Sequence, residues 1–390
     1  MPSNSDAATE PVVTILFKNC NQYRVPFFRH LRANLEQKGI DLRLVVGGGL
    51  PEDLAKGDIA ADSLPWAEER PFSSFDFFGH TMLWQPGFDL ARSSDLIITE
   101  QASKQLFNVI LSHGQRLLGT RHAFWGHGKN FQASLEGTAG EGLKRHLTKR
   151  AHWFFAYNQL SADAAVEFGM PADRITNVMN STDTEHMRAI RTALPASTPD
   201  DVRSELGIGD GPVALYLGGI YRHKRPQFLV DSAVAIRKAI PNFEMVVIGS
   251  GSEVGIIEDA AERYDWFHHL GARYGDERIR LASVADVQLM PGLVGLNVVD
   301  GFALGLPTVT TNIDYHSPEI EYLIDGVNGV VTPADATPAQ FAQATSDLLN
   351  DPATLAALSR GADHAGQELS IQDMAQRFAD GIVQALRENA

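Results

Sequence analysis

The chain has 390 residues, more than one hydrophobic core usually serves, so two domains are expected. Its hydrophobic content of 44% is typical of a globular protein. No apolar run reaches the roughly 18 residues that a membrane span requires. The net charge of −15 argues against general nucleic-acid binding, so no nucleic-acid partner is expected.

Cys20 is the single cysteine, which excludes an internal disulfide and predicts a cytoplasmic location. The polar first residues lack the basic and apolar regions of a secretory signal. Cys20 is interpreted as a small buried hydrophobic residue in preference to a nucleophile.

Strands and helices alternate through the first half of the chain. A strand is predicted over 12–17 and a helix over 25–39. Further strands are predicted over 41–48, 94–100, 122–128, 152–158 and 174–183, and Ser161 is predicted to open a helix. This alternation indicates a parallel sheet with right-handed crossovers.

The composition changes over 192–211, where Pro, Ser, Thr, Asp and Gly predict a linker with one short helix. The alternation then restarts, and the tail is predicted to hold two helices, 338–350 and 371–388. The fold class is therefore α/β with two doubly wound, Rossmann-like domains. Their predicted bounds are 1–185 for the N-terminal domain, 186–370 for the C-terminal domain with a linker at about 186–211, and 371–390 for a helix that can cross back to the N-terminal domain.

A glycine loop interrupts the hydrophobic run 290–311, in which Asp300 is the only charge. Gly292 and Gly295 allow backbone amides to approach a ligand between a strand end and a helix that begins near Val298. The Asp300 carboxylate, in the first turn of that helix, can accept hydrogen bonds from a ribose diol. Simple stabilisation of the helix by Asp300 and packing by the glycines remain open.

A second loop, 216–228, places two glycines and then four basic residues after a strand. These basic residues are Arg222, His223, Lys224 and Arg225. Lysine offers a point charge and arginine a planar fork, so the loop suits a diphosphate, although a solvated basic turn is the alternative. A third loop contains Gly249 and gives a weaker signal of the same kind.

These segments, in this order, resemble the GT4 family of retaining glycosyltransferases, which have the GT-B fold. Residues 292–307 resemble the family motif E-G-F-G-L-x-x-x-E-A-x-A-x-G-x-P, with Asp300 at the ribose-binding acid. Residues 217–225 resemble the G-R-x-x-x-x-K segment, with Lys224 at its diphosphate-binding lysine. Residues 180–183 and 316–331 resemble the N-G-x-D and G-x-x-E-x-x-x-x-G-x-N-G segments.

Two positions depart from the family pattern. Gly292 replaces the first glutamate of the motif, which usually contacts the donor sugar, and Gly219 replaces the arginine of the G-R segment. Arg222 can supply that arginine's charge from a shifted position. Because this glutamate is missing, the sequence does not define the donor sugar. A less usual donor sugar and an inactive protein are both compatible with glycine at this position.

The resemblance implies a role for each candidate site residue, with the two domains of the GT-B fold facing across a cleft. The implied catalytic residues are His127, Lys224 and Arg222. The implied nucleotide-sugar-binding residues are Gly219, Arg225, Gly249, Arg273, Gly292, Leu293, Val294, Gly295, Leu296 and Asp300. The implied acceptor-side residues are Asn19, Tyr23 and Arg24. Glu100 is added to this acceptor-side group because it ends a predicted strand, where a cleft residue should lie, and it could bind the acceptor or act as a base. A structural histidine and ordinary loop capping are the competing interpretations for His127 and the acceptor-side group.

The chain has no Asp-x-Asp pair and no cluster with metal-site spacing, which favours a reaction without a metal. The predicted reaction moves a hexose-type sugar, with retention, from a nucleoside diphosphate sugar to a glycan, lipid-linked or small-molecule acceptor. No cofactor is expected besides this donor substrate. The alternatives are a catalytically silent nucleotide-binding subunit and a sugar-nucleotide epimerase or hydrolase of the same fold.

A basic segment stands out in this acidic chain. Residues 101–150 contain eight Lys or Arg against two Glu, a local charge of +6. The helix and strand predicted over 141–155 bring Lys144, Arg145, Lys149 and Arg150 before an aromatic run. We expect this segment to contact an anionic membrane surface from the cytoplasmic side, or else to be a solvated helix face.

Overall fold

A computed structural model describes residues 10–48, 63–77, 80–132 and 140–388. The chain divides into two compact units. The first contains the described residues up to Asn130, those from 140 to Met179, and those from Ile371 onward. The second is built on Asn180–Ser370. The division thus falls at Met179, whereas the sequence set it near 185.

The first unit is organised around a parallel sheet. Its described strands are β1 Val12–Phe17, β2 Asp41–Val46, β3 Glu68–Glu69, β4 Ser73–Phe77, β5 His80–Trp84, β6 Leu96–Glu100, β7 Arg121–Gly126, β8 Trp153–Ala156 and β9 Ile175–Asn177. The sheet has the order β3-β2-β1-β6-β7-β8-β9, and β4 and β5 form a separate antiparallel hairpin that the sequence did not predict. Both faces of β1 are covered, since Ile15 packs in one hydrophobic cluster and Leu16 in another.

Helices cover the first sheet as the alternation of elements predicts. They are α1 Val25–Glu36, α2 Phe88–Arg92, α3 Leu106–Leu118, α4 Glu141–Arg150 and α5 Gln159–Glu167. The prediction that Ser161 opens α5 was wrong by two residues. Asn158 caps this helix instead, because its side-chain oxygen accepts the Ser161 amide at 3.1 Å.

The second unit contains another parallel sheet, in the order β12-β11-β10-β13-β14-β15. Its strands are β10 Val213–Leu217, β11 Glu244–Ile248, β12 Phe267–His269, β13 Val287–Met290, β14 Thr308–Thr311 and β15 Gly329–Thr332. Its helices are α6 Thr184–Ala193, α7 Thr198–Leu206, α8 Pro226–Ala239, α9 Val254–Arg263, α10 Gly275–Ala282, α11 Asn297–Ala303, α12 Pro338–Leu349 and α13 Pro352–Glu368.

The last helix, α14 Ile371–Arg387, belongs to the first unit. Its buried side chains lie in the same cluster as Ile15 and Phe27. The Phe378 ring stacks on Phe155 with 4.1 Å between ring centroids. Burial of this apolar face is what attaches the end of the chain to the first sheet.

Two predictions for the second unit were wrong. The predicted linker at about 186–211 is packed into the unit, because α6 and α7 bury Met187 and Val202 against the second sheet, although the one short helix predicted within 192–211 is present as α7. Helix α13 was missed because Gly361 and Gly366 lower its helix propensity. A Cβ at Gly366 would overlap the Phe302 carbonyl region, so close packing on α11 requires glycine there.

Each sheet has one topological switch point. The chain leaves β1 toward β2 on one side and later returns to place β6 on the other side. It does the same around β10, which lies between β11 and β13. Ligands of open parallel sheets bind at the carboxyl ends of such strand pairs, so these two edges define where to search for a site.

Candidate functional site

Lys224 lies at the switch point of the second sheet, in a 3₁₀ turn Arg222–Lys224 shortly after β10. Its side chain is 5% exposed, and its Nζ donates to the Leu293 carbonyl at 2.5 Å. Burial lowers the Lys224 pKa to about 7, and the nearby Glu319 carboxylate partly opposes this shift. Lys224 therefore exchanges a proton near neutral pH, and an anionic ligand would favour its charged form.

The glycine loop after β13 is held by hydrogen bonds inside the unit. The Leu293 amide donates to the His223 carbonyl at 2.9 Å, and the Val294 amide donates to Nδ1 of His316 at 2.9 Å. The Gly295 amide donates to the Asn297 side chain at 3.1 Å. Each of these three amides thus has an acceptor inside the unit, and the expected approach of the loop amides to a phosphate stays a prediction.

Two amides of this segment differ from their neighbours. Within the described part of the chain, the backbone N–H groups of Leu296 and Asn297, at the start of α11, donate to no hydrogen-bond acceptor. Gly295 leaves room beside them, since the nearest atom to an added Cβ is the Ser317 hydroxyl at 3.6 Å. The donors that this loop can offer to a ligand are thus at its end, next to α11.

The glycines at 292 and 249 have packing roles. A Cβ at Gly292 would overlap the backbone of His223 and Lys224, and one at Gly249 would overlap the Gly218 carbonyl. No side chain fits at position 292 in this backbone conformation. The close packing of the two loops therefore excludes the glutamate that the family has at this position.

Asp300 is the fourth residue of α11 and is 8% exposed. One carboxylate oxygen accepts the Thr182 hydroxyl at 2.8 Å, and the other pairs with the Arg278 guanidinium at 3.1 Å. Both partners lie outside α11, so tertiary contacts, and not the helix alone, hold this carboxylate. A carboxylate has about four acceptor positions, so its lone pairs are not exhausted by two donors.

The four segments that resemble family motifs meet inside the second unit. Asn180 donates to the Glu319 carboxylate at 2.6 Å, which joins 180–183 to 316–331. The hydrogen bond from Thr182 to Asp300 connects 180–183 to 292–307. The hydrogen bond from Lys224 to the Leu293 carbonyl connects 217–225 to the same segment.

Four residues of this cluster were missed as site residues, namely Thr182, Arg278, His316 and Glu319. Glu319 lies in the segment 316–331, and the resemblance of this segment to a family motif could have identified Glu319 as a site residue. His316 bridges the Val294 amide and the Thr311 carbonyl, and burial lowers its pKa to about 4. Nothing in the local sequence marks Arg278, which reaches Asp300 only through the packing of α10.

The other basic residues of the second unit differ in exposure. Arg222 is exposed, whereas the Arg225 guanidinium covers the Phe228 ring at 4.0 Å and lies 3.3 Å from the Pro291 carbonyl. Arg273 pairs with Glu277 at 3.4 Å beyond β12. Gly219 lies at the end of β10, where its neighbour is the Tyr221 ring.

In the first unit, Glu100 is the last residue of β6, at the switch point. Its carboxylate accepts the Lys18 amide at 2.8 Å and the Gln105 side chain at 3.3 Å. Burial raises the Glu100 pKa, and the hydrogen bond from Lys18 opposes that shift. The side chain is thus fixed in position at the strand end where a ligand is expected.

Arg24 lies in the loop region after β1 and is 3% exposed. Its guanidinium covers the Trp125 ring at 4.8 Å and the Tyr23 ring at 5.0 Å. Tyr23 is 40% exposed, and Asn19 donates to the Asn21 side chain at 2.8 Å.

His127 follows β7, with its ring edge-on to Tyr157 at 4.4 Å between centroids. Burial lowers its pKa to about 4, and the charges of Lys144 and Arg24 act in the same direction. His127 is therefore neutral at pH 7. The Arg24 charge also lowers the pKa of Glu100, so Arg24 lies close enough to act on each of these two side chains.

Other sequence predictions have structural outcomes in the first unit. Cys20 is fully buried, and burial raises its pKa to about 11, which confirms a hydrophobic role. Lys144 pairs with Glu141 at 3.5 Å, and its side chain is 16% exposed. It does not join the exposed basic face of α4 as the sequence suggested.

The described residues contain no cluster of three or more His, Cys, Asp or Glu that could hold a metal ion. Among the same residues, no helix combines the length and hydrophobicity of a membrane span. The cytoplasmic location and the membrane contact stay predictions.

Residues 211–351 match the model of the family described as glycosyl transferases group 1. Over these residues the chain is similar to the group 1 glycosyltransferases. An alpha-D-kanosaminyltransferase from Streptomyces kanamyceticus is 22% identical over 205 residues, 47% of each chain. A D-inositol 3-phosphate glycosyltransferase from Paenarthrobacter aurescens is 32% identical over 163 residues, 39% of each chain. Each alignment therefore spans less than half of the curated relative.

Solved structures show the same fold over almost the whole chain. HepE from Anabaena, in complex with UDP, has a TM-score of 0.73 at 15% identity, covering 96% of this chain and 99% of that one. A sucrose-phosphate synthase from Thermosynechococcus elongatus has a TM-score of 0.67 at 14% identity, covering 96% and 98%. The predicted resemblance to glycosyltransferases and the predicted GT-B fold are both confirmed.

Proposed function

We propose that the protein transfers a hexose-type sugar from a nucleoside diphosphate sugar to a glycan, lipid-linked or small-molecule acceptor. The observation that carries the proposal is the position of Lys224, a buried ammonium group beside a glycine loop at the switch point of the second sheet. A cation there meets the negative charge that grows on the leaving diphosphate. The likeness to HepE, which was solved with UDP and with UDP-glucose, supports a nucleotide sugar as donor.

The donor would occupy the second unit. Lys224, with Arg222 or Arg225, would neutralise the diphosphate, and the N–H groups of Leu296 and Asn297 would donate to a phosphate oxygen. The Asp300 carboxylate would accept hydrogen bonds from ribose beside those from Thr182 and Arg278. These protein cations would thereby neutralise the diphosphate, which a divalent ion does in other enzymes that act on phosphates.

The transfer would proceed with retention by front-face attack. The bond between the anomeric carbon and the diphosphate oxygen breaks, the acceptor oxygen bonds to that carbon, and the acceptor proton passes to a phosphate oxygen. His127, neutral at pH 7, would hydrogen-bond the donor sugar. Glu100, Asn19, Tyr23 and Arg24 would bind the acceptor, and Glu100 is the residue among them able to take a proton.

Gly292 favours a second candidate function. Because no side chain fits at this position, the carboxylate that the family uses to contact the donor sugar cannot be present there. A protein that binds the nucleotide but transfers no sugar would show the same features. An epimerase or hydrolase would need an acid and base pair, and no such pair is assigned.

The test is incubation of the full chain with a panel of UDP-, GDP- and TDP-sugars, with and without glycan acceptors and with added chelator. Transfer that persists in chelator, with NMR showing an unchanged anomeric configuration, supports the whole proposal. Nucleotide binding without any turnover would establish the silent subunit. Release of free sugar or of an epimer, without transfer to any acceptor, would establish the remaining alternatives.

A further inference from the structure

Two exposed histidines face each other on the first unit, and neither is among the residues assigned to substrates. His113 lies on α3 and His146 on α4. Their Nε2 atoms are 3.1 Å apart, and their rings lie 5.2 Å apart between centroids at an angle of 25°. The fold brings them together from positions 33 residues apart, so no local motif marks the pair.

The hydrogen bonding of His113 defines which of its nitrogens is free. Its Nδ1 lies 2.9 Å from the Val109 carbonyl oxygen, which can only accept a hydrogen bond. In the neutral ring the proton is therefore on Nδ1, and Nε2 carries a lone pair directed at His146. The Nε2–H of His146 donates to this lone pair when nothing else lies between the rings.

We propose that the Nε2 atoms of His113 and His146 together bind a divalent transition-metal ion. Two nitrogens that each lie about 2.0–2.1 Å from a metal are about 3 Å apart when the angle at the metal is near 90–110°. The observed separation of 3.1 Å, which is that of a hydrogen bond in the metal-free pair, also fits two neighbouring ligands of one ion. The bond from His113 to the Val109 carbonyl is the outer-shell contact that metal-binding histidines usually make.

Binding requires a change of tautomer in His146 and no net release of a proton. The proton on Nε2 of His146 moves to Nδ1, which leaves both Nε2 lone pairs for the metal. The ion then joins α3 to α4, and water completes its coordination, since no group of three metal-binding residues exists among the described residues. Ions that bind the folded protein in this way raise its stability by mass action.

Imidazole nitrogen selects the class of metal. Zn²⁺, Ni²⁺ and above all Cu²⁺ bind imidazole well, and affinity rises along the series toward copper. Mg²⁺ and Ca²⁺ prefer oxygen ligands and should not compete.

The surrounding charge gives the site a distinctive salt dependence. Arg116 is three residues from His113, and Lys149 and Arg150 are three and four residues from His146, so they share faces of α3 and α4 with the pair. Their positive charge repels a dication. Added salt screens this repulsion and should tighten binding, whereas adventitious binding to an acidic surface would weaken.

The test is calorimetric titration of the tag-free full chain with Zn²⁺, followed by Cu²⁺, at low and high NaCl. The variants are His113→Gln, His146→Gln and the double variant, with His364→Gln as the matched control, since His364 is exposed beside Glu368 on another helix. We expect one Zn²⁺ per chain and about tenfold or greater loss of affinity in either single variant. The double variant should lose no more than the singles, and the control should bind like wild type.

Thermal melting supplies a second readout. Zn²⁺ should raise the melting temperature of wild type and of His364→Gln but not of the double variant, and Mg²⁺ should raise none of them. Melting temperatures without metal report whether the variants fold, which their exposed positions favour. Equal Zn²⁺ affinity in wild type and double variant would overturn the proposal, as would binding that weakens when salt is added.

Discussion

The two switch points of this protein have the same topology and opposite chemistry. At the second sheet the strand ends present the buried ammonium group of Lys224 and a glycine loop. At the first sheet they present the Glu100 carboxylate and the neutral ring of His127. We infer from this comparison that the doubly wound sheet would supply the place for a ligand and that the loop residues would decide which ligand binds there.

Burial acts on both charges in the same sense, toward the uncharged form. It lowers the pKa of Lys224 to about 7 and raises the pKa of Glu100. Each is held by a backbone group, the Leu293 carbonyl for Lys224 and the Lys18 amide for Glu100. An anionic ligand suits the first arrangement, and a hydroxyl that gives or shares a proton suits the second.

The largest expected effect comes from removing the cation. Lys224→Ala should lower kcat by about 10²–10³, because the charge it neutralises grows in the transition state. Lys238→Ala, at an exposed position of α8, is the control and should leave kcat unchanged. Steady-state kinetics with the donor identified by the panel measures both, and a change confined to KM would show that Lys224 acts only in binding.

The matching change at the first switch point is Glu100→Gln. The glutamine oxygen can still accept from the Lys18 amide, so the fold should survive. Loss of a charged hydrogen bond of about 1.5–3 kcal/mol should lower kcat/KM for the acceptor and leave nucleotide affinity unchanged. Glu167→Gln, on the exposed side of α5, serves as control. Equal losses in acceptor and nucleotide binding would contradict the division of roles between the two switch points.

Asp300→Asn tests the ribose assignment inside the second unit. It should weaken nucleoside diphosphate binding by about 1–3 kcal/mol, since charged hydrogen bonds become neutral ones. Calorimetry with the matching nucleotide measures this, and Asp231→Asn on the exposed face of α8 is the control. Thermal melting must accompany it, because Asp300 also holds Thr182 and Arg278. Unchanged affinity in a folded variant would remove Asp300 from the site.

The pH dependence of nucleotide affinity follows from Lys224. In the free protein its pKa is about 7, and a bound diphosphate raises that value by stabilising the charged form. Binding at pH 8 should therefore take up a proton, and affinity should fall by at most about tenfold per pH unit as the pH rises above 7. Calorimetry in two buffers of different ionisation enthalpy measures the uptake. Binding without proton uptake at pH 8 would place the ligand elsewhere.

The smallest expected effect concerns the basic face of α4. Since Lys144 pairs with Glu141, the exposed cations that remain for an anionic membrane are Arg145, Lys149 and Arg150. Each is worth about 1 kcal/mol near an anionic leaflet, so binding should be weak and reversible.

Co-sedimentation with anionic and neutral vesicles at low salt tests this surface. Replacing its three exposed cations by glutamate should abolish binding to anionic vesicles. The same charge change at the exposed positions Lys238, Arg263 and Arg360 of the second unit should leave it intact. Failure of wild type to bind anionic vesicles would identify α4 as an ordinary solvated face.

The sequence predicted more of the second unit than of the first. Residues 180–183, 217–225, 292–307 and 316–331 carry the family's local patterns, and the structure shows that they contact one another. In the first unit the candidate Glu100 came from a strand end alone, and His127 came from a single position of the looser resemblance in this half of the chain. The internal acceptors of the Leu293, Val294 and Gly295 amides were not predicted, because two of them come from residues distant in sequence.

The sequence by itself determined the α/β alternation, the two parallel sheets and the strand ends at which Lys224, Asp300 and Glu100 lie. These follow from periodicity, glycine and residue type, which are local properties of the chain. Only the tertiary structure decided that Lys144 turns toward Glu141, that α14 joins the first sheet, and that His113 meets His146. Such contacts join residues on different elements or select one orientation of a side chain, and packing of whole elements, not local pattern, sets both.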